Sequence, residues 1–208
     1  MRESVGFGHK PGVAVVDFQL GFTDARFPSG GAPLVERAVS NSTRLLAVAR
    51  GSNVPIATCY TGYNSKRDMP YWKISALDDM VEGNPSTELD PRTYDPNYNV
   101  AMRKSWTSMF FQTPAAAFFN EESVDTIIVA GCVRTSISDS SQWGFRTIVP
   151  EGGGGDQEYG PIMAICGMWG VDIVILQLWM KPSFGSKSGD PRVMEIRIHD
   201  KPVNESIN

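Results

Sequence analysis

Three side chains in this sequence have the type and setting for nucleophilic chemistry: Cys132, Asp17 and Lys104. Cys132 follows a glycine at the end of the apolar run 124–131 and precedes a helix-like segment, 134–143. A helix N-terminus offers unpaired N–H groups and partial positive charge, which stabilise a thiolate and an oxyanion alike. The same position also suits a small buried side chain, because free cysteine packs as one. Asp17 closes the run Gly12-Val13-Ala14-Val15-Val16. A carboxylate at the end of a buried strand needs a partner, and it reads either as a turn cap or as a general base. Lys104 lies in Arg103-Lys104-Ser105-Trp106-Thr107-Ser108-Met109-Phe110-Phe111, between a polar stretch and an aromatic cluster. It reads either as a solvated surface charge or as an inward partner of Asp17. Cys59 and Cys166 fall inside apolar periodic segments and read as core. The histidines, His9 and His199, lie near opposite ends of the chain, and there is no HxH, HExxH or CxxC. Ser–His–Asp, Cys–His and ordinary zinc sites are therefore hard to assemble. The glycine run 152–155 lacks a following Gly-Lys-Ser/Thr and reads as a flexible loop rather than a phosphate cradle.

Such residues need a scaffold, and the hydrophobic pattern supplies one. Residues 12–17 read as a buried strand, followed by a Gly- and Pro-containing loop over 22–32. Residues 33–50 have the apolar spacing of a helix, with Pro33 in the first turn and Gly51 at the end. Strands are predicted at 54–60, 124–131, 145–149 and 171–176, and helices at 134–143, stopped by Gly144, and 161–169. The stretch 61–99, rich in Pro, Asp, Asn and Tyr, is long for a connection and predicts a functional excursion with a short helix over 74–80. Strands alternating with helices predict a three-layer α/β domain, a parallel sheet flanked by helices on both faces. Active residues of such folds gather at the C-terminal ends of the strands, where Asp17, Cys132 and the 152–155 loop fall. One domain is expected over 1–180, with a polar tail over 181–208. An alternating run at 193–198 in that tail suits an edge strand or an arm onto a partner subunit.

Composition narrows the classes. The chain has 208 residues, 41% hydrophobic, 20% charged and 10% aromatic, which excludes collagen-like, disordered and coiled-coil chains. A net charge of −4 with no basic run argues against nucleic-acid binding. No apolar stretch approaches the roughly 18 residues of a membrane span, and residues 1–12 have no signal-like apolar region. Three widely spaced cysteines argue against a disulfide framework and for a reducing, cytoplasmic setting. Residues 18–24 hold one glycine among bulky side chains, which disfavours a flavodoxin-like phosphate-binding module.

Three stretches occur together in one known family: Val15-Val16-Asp17-Phe18-Gln19 with Phe22 and Asp24; Lys104 to Phe111; and Gly131-Cys132-Val133-Arg134-Thr135, continued by Asp139, Gln142 and 144–151. On these the chain resembles the isochorismatase-like cysteine hydrolases, on the branch of N-carbamoylsarcosine amidase and maleamate amidohydrolase, over about 12–176. The resemblance implies an isochorismatase-like (Rossmann-like) hydrolase fold, a homo-oligomer (dimer or tetramer) and a small-molecule amide or ureido substrate cleaved at its C–N bond without a cofactor. It implies a catalytic triad of Asp17, Lys104 and Cys132, with Phe22, Trp106 and Phe110 walling the pocket. Gln157 stands where the family often has an arginine for a substrate carboxylate. The histidine pattern of the metal-binding nicotinamidases is absent, with Thr58-Cys59-Tyr60 in its place, which disfavours nicotinamide. Isochorismatases proper lack the nucleophilic cysteine, so its retention implies amide hydrolysis rather than vinyl-ether cleavage. The turn before Val133-Arg134 is several residues shorter than in the family, which keeps open a second reading: a catalytically impaired member acting by binding or assembly.

Overall fold

The structure, a computed structural model, describes residues 8–70, 77–131, 134–150 and 174–176. Six strands form one parallel sheet: β1 (Pro11–Val16), β2 (Ile56–Thr61), β3 (Val100–Lys104), β4 (Thr126–Gly131), β5 (Arg146–Pro150) and β6 (Val174–Leu176). Their order is β3-β2-β1-β4-β5-β6. Strand order reverses between β1 and β4, where a doubly wound sheet opens a crevice at its carboxyl edge.

The period of two along each strand builds two cores. Ala14, Val16, Ala57, Cys59, Ile127 and Val129 face one layer, and Val13, Val15, Ile56, Ile128 and Ile148 face the other. Helix α2 (Pro33–Gly51) covers the second face through Val35, Ala38, Val39, Leu45, Leu46 and Ala49. Helices α3 (Ala115–Glu121) and α4 (Arg134–Gln142) cover the first, through Ala115, Ala116, Phe119 and Ile137. The crossovers β1–α2–β2 and β4–α4–β5 run outward in opposite directions along the sheet. Right-handed connections then require their helices to lie on opposite faces, as they do. The expected flanked parallel sheet is therefore observed, and Gly144, at φ 88°, closes α4 as anticipated.

Several short elements go beyond what the sequence predicts. β3 buries only Met102 and Lys104 and exposes Val100, Ala101 and Arg103, the mark of an edge strand with charged residues rather than an apolar run. α3 is a short Ala-Ala-Ala-Phe-Phe segment started by Pro114, too brief to display helical periodicity. The predicted loop after β1 also contains a single helical turn, α1 (Leu20–Thr23).

The excursion 61–99 is tied back to the sheet. Leu20 N–H donates to Glu88 O (2.8 Å) and Asp90 N–H to Phe18 O (2.9 Å). Arg92 bridges Glu36 of α2 and Asp90 (2.7 and 2.6 Å). Of the expected helix over 74–80, the described part, 77–80, is a tight turn in which Met80 N–H donates to Leu77 O (3.1 Å). Residues 74–76, the 152–155 loop, the helix over 161–169, Cys166, residues 171–173 of the last strand, the tail over 181–208 and His199 lie outside the described residues. Among the described residues no helix is long and apolar enough to cross a membrane.

Candidate active site

The carboxyl ends of three adjacent strands meet at one buried polar cluster. Asp17 is the residue after β1 and has φ 58°, a left-handed conformation that aspartate tolerates better than most side chains. Its N–H donates to Cys59 O in β2 (3.0 Å). Thr61 and Lys104 close β2 and β3 and are register partners. β3 lies two strand spacings from β1, roughly 10 Å, so only a long side chain can reach Asp17 from there. Lys104 does: its Nζ is 2.8 Å from Asp17 Oδ2. Both residues are buried, Lys104 at 3% and Asp17 at 7% exposure. Burying an ammonium and a carboxylate is tolerated when they pair and their remaining hydrogen-bonding capacity is satisfied. Lys104 Nζ also donates to Thr61 Oγ1 (2.8 Å) and to Trp106 O (3.1 Å).

β4 arrives at the same place. Gly131 pairs with Val16, has φ 103°, and a Cβ on it would stand 1.9 Å from Val16 O. Only glycine lets the last residue of β4 lie this close to the strand that delivers Asp17. Cys132 is the next residue in the sequence; it and Gln157 lie outside the described residues. Across the sheet end, Met109 N–H donates to Ser136 Oγ (2.9 Å), fastening the loop after β3 to α4.

The remaining expected site residues divide. Phe22 is half-buried on α1. Trp106 is 43% exposed, with its ring edge-on to Phe111 (5.8 Å) and its Nε1 donating to Gln112 Oε1 (3.0 Å). Phe110 is 3% exposed and sits in the core, with ring centroids 6.4 Å from Phe119 and 6.3 Å from Phe145. Among the described residues no group of three or more His, Cys, Asp or Glu is arranged to hold a metal ion.

Two members of the cluster escaped the sequence reading. Thr61 was placed at the start of the excursion, one residue beyond the predicted strand; the rule that strand ends carry the chemistry would have found it had β2 been drawn to its true end. Gln19 lies in a quoted motif but was given no role. Its side chain brackets the Thr61 backbone, accepting from Thr61 N–H (2.7 Å) and donating to Thr61 O (3.0 Å) and Ser86 O (3.0 Å).

Fold and cluster together define a doubly wound α/β protein with a buried carboxylate–ammonium pair at its topological switch point. Residues 12–154 match the family model described as Isochorismatase domain, and the chain belongs to the isochorismatase family. It is 34% identical over 168 residues to maleamate amidohydrolase of Pseudomonas putida, covering 76% of this chain and 78% of that protein. It is 26% identical over 173 residues to an N-carbamoylsarcosine amidase of Arthrobacter sp, covering 77% of this chain and 65% of the other. The crystal structure of N-carbamoylsarcosine amidase from Thermoplasma acidophilum shares the fold, with a TM-score of 0.67 at 18% identity over 79% of this chain and 95% of that one.

Proposed function

We propose that this protein is a cysteine-dependent amidohydrolase acting on the C–N bond of a small linear amide or ureido compound. The observation that carries the reading is the buried Asp17–Lys104 pair (2.8 Å) beside the end of β4, the strand that leads into Cys132. In this mechanism Cys132 is the nucleophile, Asp17 the base and acid, and Lys104 the fixed positive charge.

The steps balance without a cofactor. Asp17 accepts the thiol proton of Cys132, and the sulfur attacks the substrate carbonyl carbon. The C–N bond of the tetrahedral adduct then breaks, and Asp17 returns the proton to the departing nitrogen, releasing ammonia or an amine. A water molecule, deprotonated by Asp17, attacks the thioester. Collapse of the second adduct breaks the C–S bond and frees the carboxylic acid, or the carbamic acid from a ureido substrate. Asp17 returns the proton taken from water to the sulfur, regenerating the thiol. Lys104 keeps its charge throughout and offsets the negative charge that passes between Asp17, the sulfur and the carbonyl oxygen. Phe22 and the exposed Trp106 are the described side chains proposed to flank the substrate.

The relatives named for maleamate and N-carbamoylsarcosine make these two compounds the first substrates to test. Ammonia release from each would be followed with wild type and Cys132→Ala. The expected result is ammonia from at least one compound and a loss in Cys132→Ala of roughly 1,000-fold or more. Ammonia release that survives in Cys132→Ala would sink the mechanism. A folded wild type silent on both compounds and on wider linear amides would favour a member that works by binding.

A further inference from the structure

We infer that Thr61 is a positioning residue of the reaction, holding the Asp17 carboxylate in one orientation for proton transfer. This rests on the amidohydrolase reading for its meaning, but its geometry is independent of it. An ammonium can only donate, so in the Lys104 Nζ to Thr61 Oγ1 contact (2.8 Å) the hydroxyl oxygen accepts. The hydroxyl proton is then left for Asp17 Oδ1, 3.2 Å away. Lys104 holds the other oxygen, Oδ2, at 2.8 Å. Each carboxylate oxygen thus has its own fixed donor, and the carboxylate plane cannot rotate without breaking one of the two bonds.

Thr61 is itself held. Its backbone N–H and C=O are both taken by the Gln19 side chain, which also donates to Ser86 O in the excursion. Thr61 is buried at the end of a strand and faces two charged groups that the fold brings from the strands on either side of β2. A proton acceptor must be aimed to a few tenths of an ångström to be effective, and such aim comes from supporting hydrogen bonds.

The test compares Thr61→Val, which keeps the shape and removes the hydroxyl, with Thr61→Ser, which keeps the hydroxyl. Thr61→Ala serves as a second hydroxyl-free variant should valine prevent folding, and circular dichroism establishes that each variant is folded. Two readouts are taken: kcat and KM for ammonia release, and the pH profile of Cys132 alkylation by iodoacetamide, located by mass spectrometry. Removing the hydroxyl is expected to lower kcat tenfold to roughly a hundredfold, with KM within about twofold of wild type. The alkylation midpoint should rise by about one pH unit, since a less compensated Asp17 charge disfavours a nearby thiolate. Thr61→Ser should recover most of both. A hydroxyl-free variant with wild-type kcat and alkylation profile would overturn the proposal, as would a folded Thr61→Ser as impaired as Thr61→Val. The alkylation profile decides the role of Thr61 even where wild type releases no ammonia, which separates its failure from failure of the amidohydrolase reading.

Discussion

At the scale of single residues, the energetics of the site turn on two opposite charges that cannot be removed one at a time. Lys104 and Asp17 are both nearly sealed from water, so deleting one leaves the other buried without its counter-charge. Lys104→Met is therefore expected to destabilise the protein by about 3 kcal/mol or more and to abolish turnover. Adding Asp17→Asn in the same chain should return much of that stability, because no uncompensated charge remains, while turnover stays absent. Urea denaturation of the single and double variants checks the first half and the ammonia assay the second. A double variant no more stable than Lys104→Met would mean that the pair is not the electrostatic unit described. Apart from the family resemblance, the sequence offered Asp17 as a carboxylate whose burial at a strand end is costly without a partner, and Lys104 as either a surface charge or that partner. It left their pairing open, since the reach from β3 across β2 to β1 is a property of the sheet. Thr61 was not legible, because a threonine carries no such cost and takes its importance only from the two neighbours that the fold supplies.

At the scale of elements, the site depends on how closely β4 approaches the end of β1. Gly131→Ala would place a methyl group 1.9 Å from Val16 O on a backbone with φ 103°. The obstacle is backbone, so the strand end itself must move. The expected cost is at least about 2 kcal/mol, with loss of amide hydrolysis in whatever folded protein remains. A thermal melt with the ammonia assay measures both, and an active variant of wild-type stability would show that the close approach is dispensable. Elements with strong periodicity were legible in the sequence: β1, α2, β2, β4, α4 and β5 all appear within a few residues of their expected bounds. β3 and α3 were not. An edge strand buries one face and tolerates Arg103 on the other, so it lacks the continuous apolar run that betrays a central strand. A seven-residue helix spans about two turns, too little for a period to repeat.

At the scale of the whole molecule, β1 to β5 and the excursion 61–99 lie almost wholly within the family match over 12–154. The excursion must hold its place over the sheet end for Ser86 and Gln19 to brace Thr61. One anchor that fixes it is Arg92, which joins Asp90 to Glu36 on α2. Burial by itself would raise the Asp90 carboxyl above its ordinary range, but hydrogen bonds from the Arg92 side chain and backbone outweigh it and the group is held below that range. The sign of the linkage follows. A carboxylate whose folded-state pKa is depressed adds stability above the unfolded value, near 3.9, and loses it as pH falls through the lower folded value. Asp90→Asn should therefore be less stable than wild type at pH 7 and approach it near pH 3. Arg92 is about half-exposed and screened by solvent, so the difference at neutral pH is expected to be about 1 kcal/mol. Urea midpoints of the two proteins at both pH values test this. A gap that stays constant between them would show that Asp90 acts through its shape and neutral hydrogen bonds, and that the excursion is held by contacts other than this charge pair.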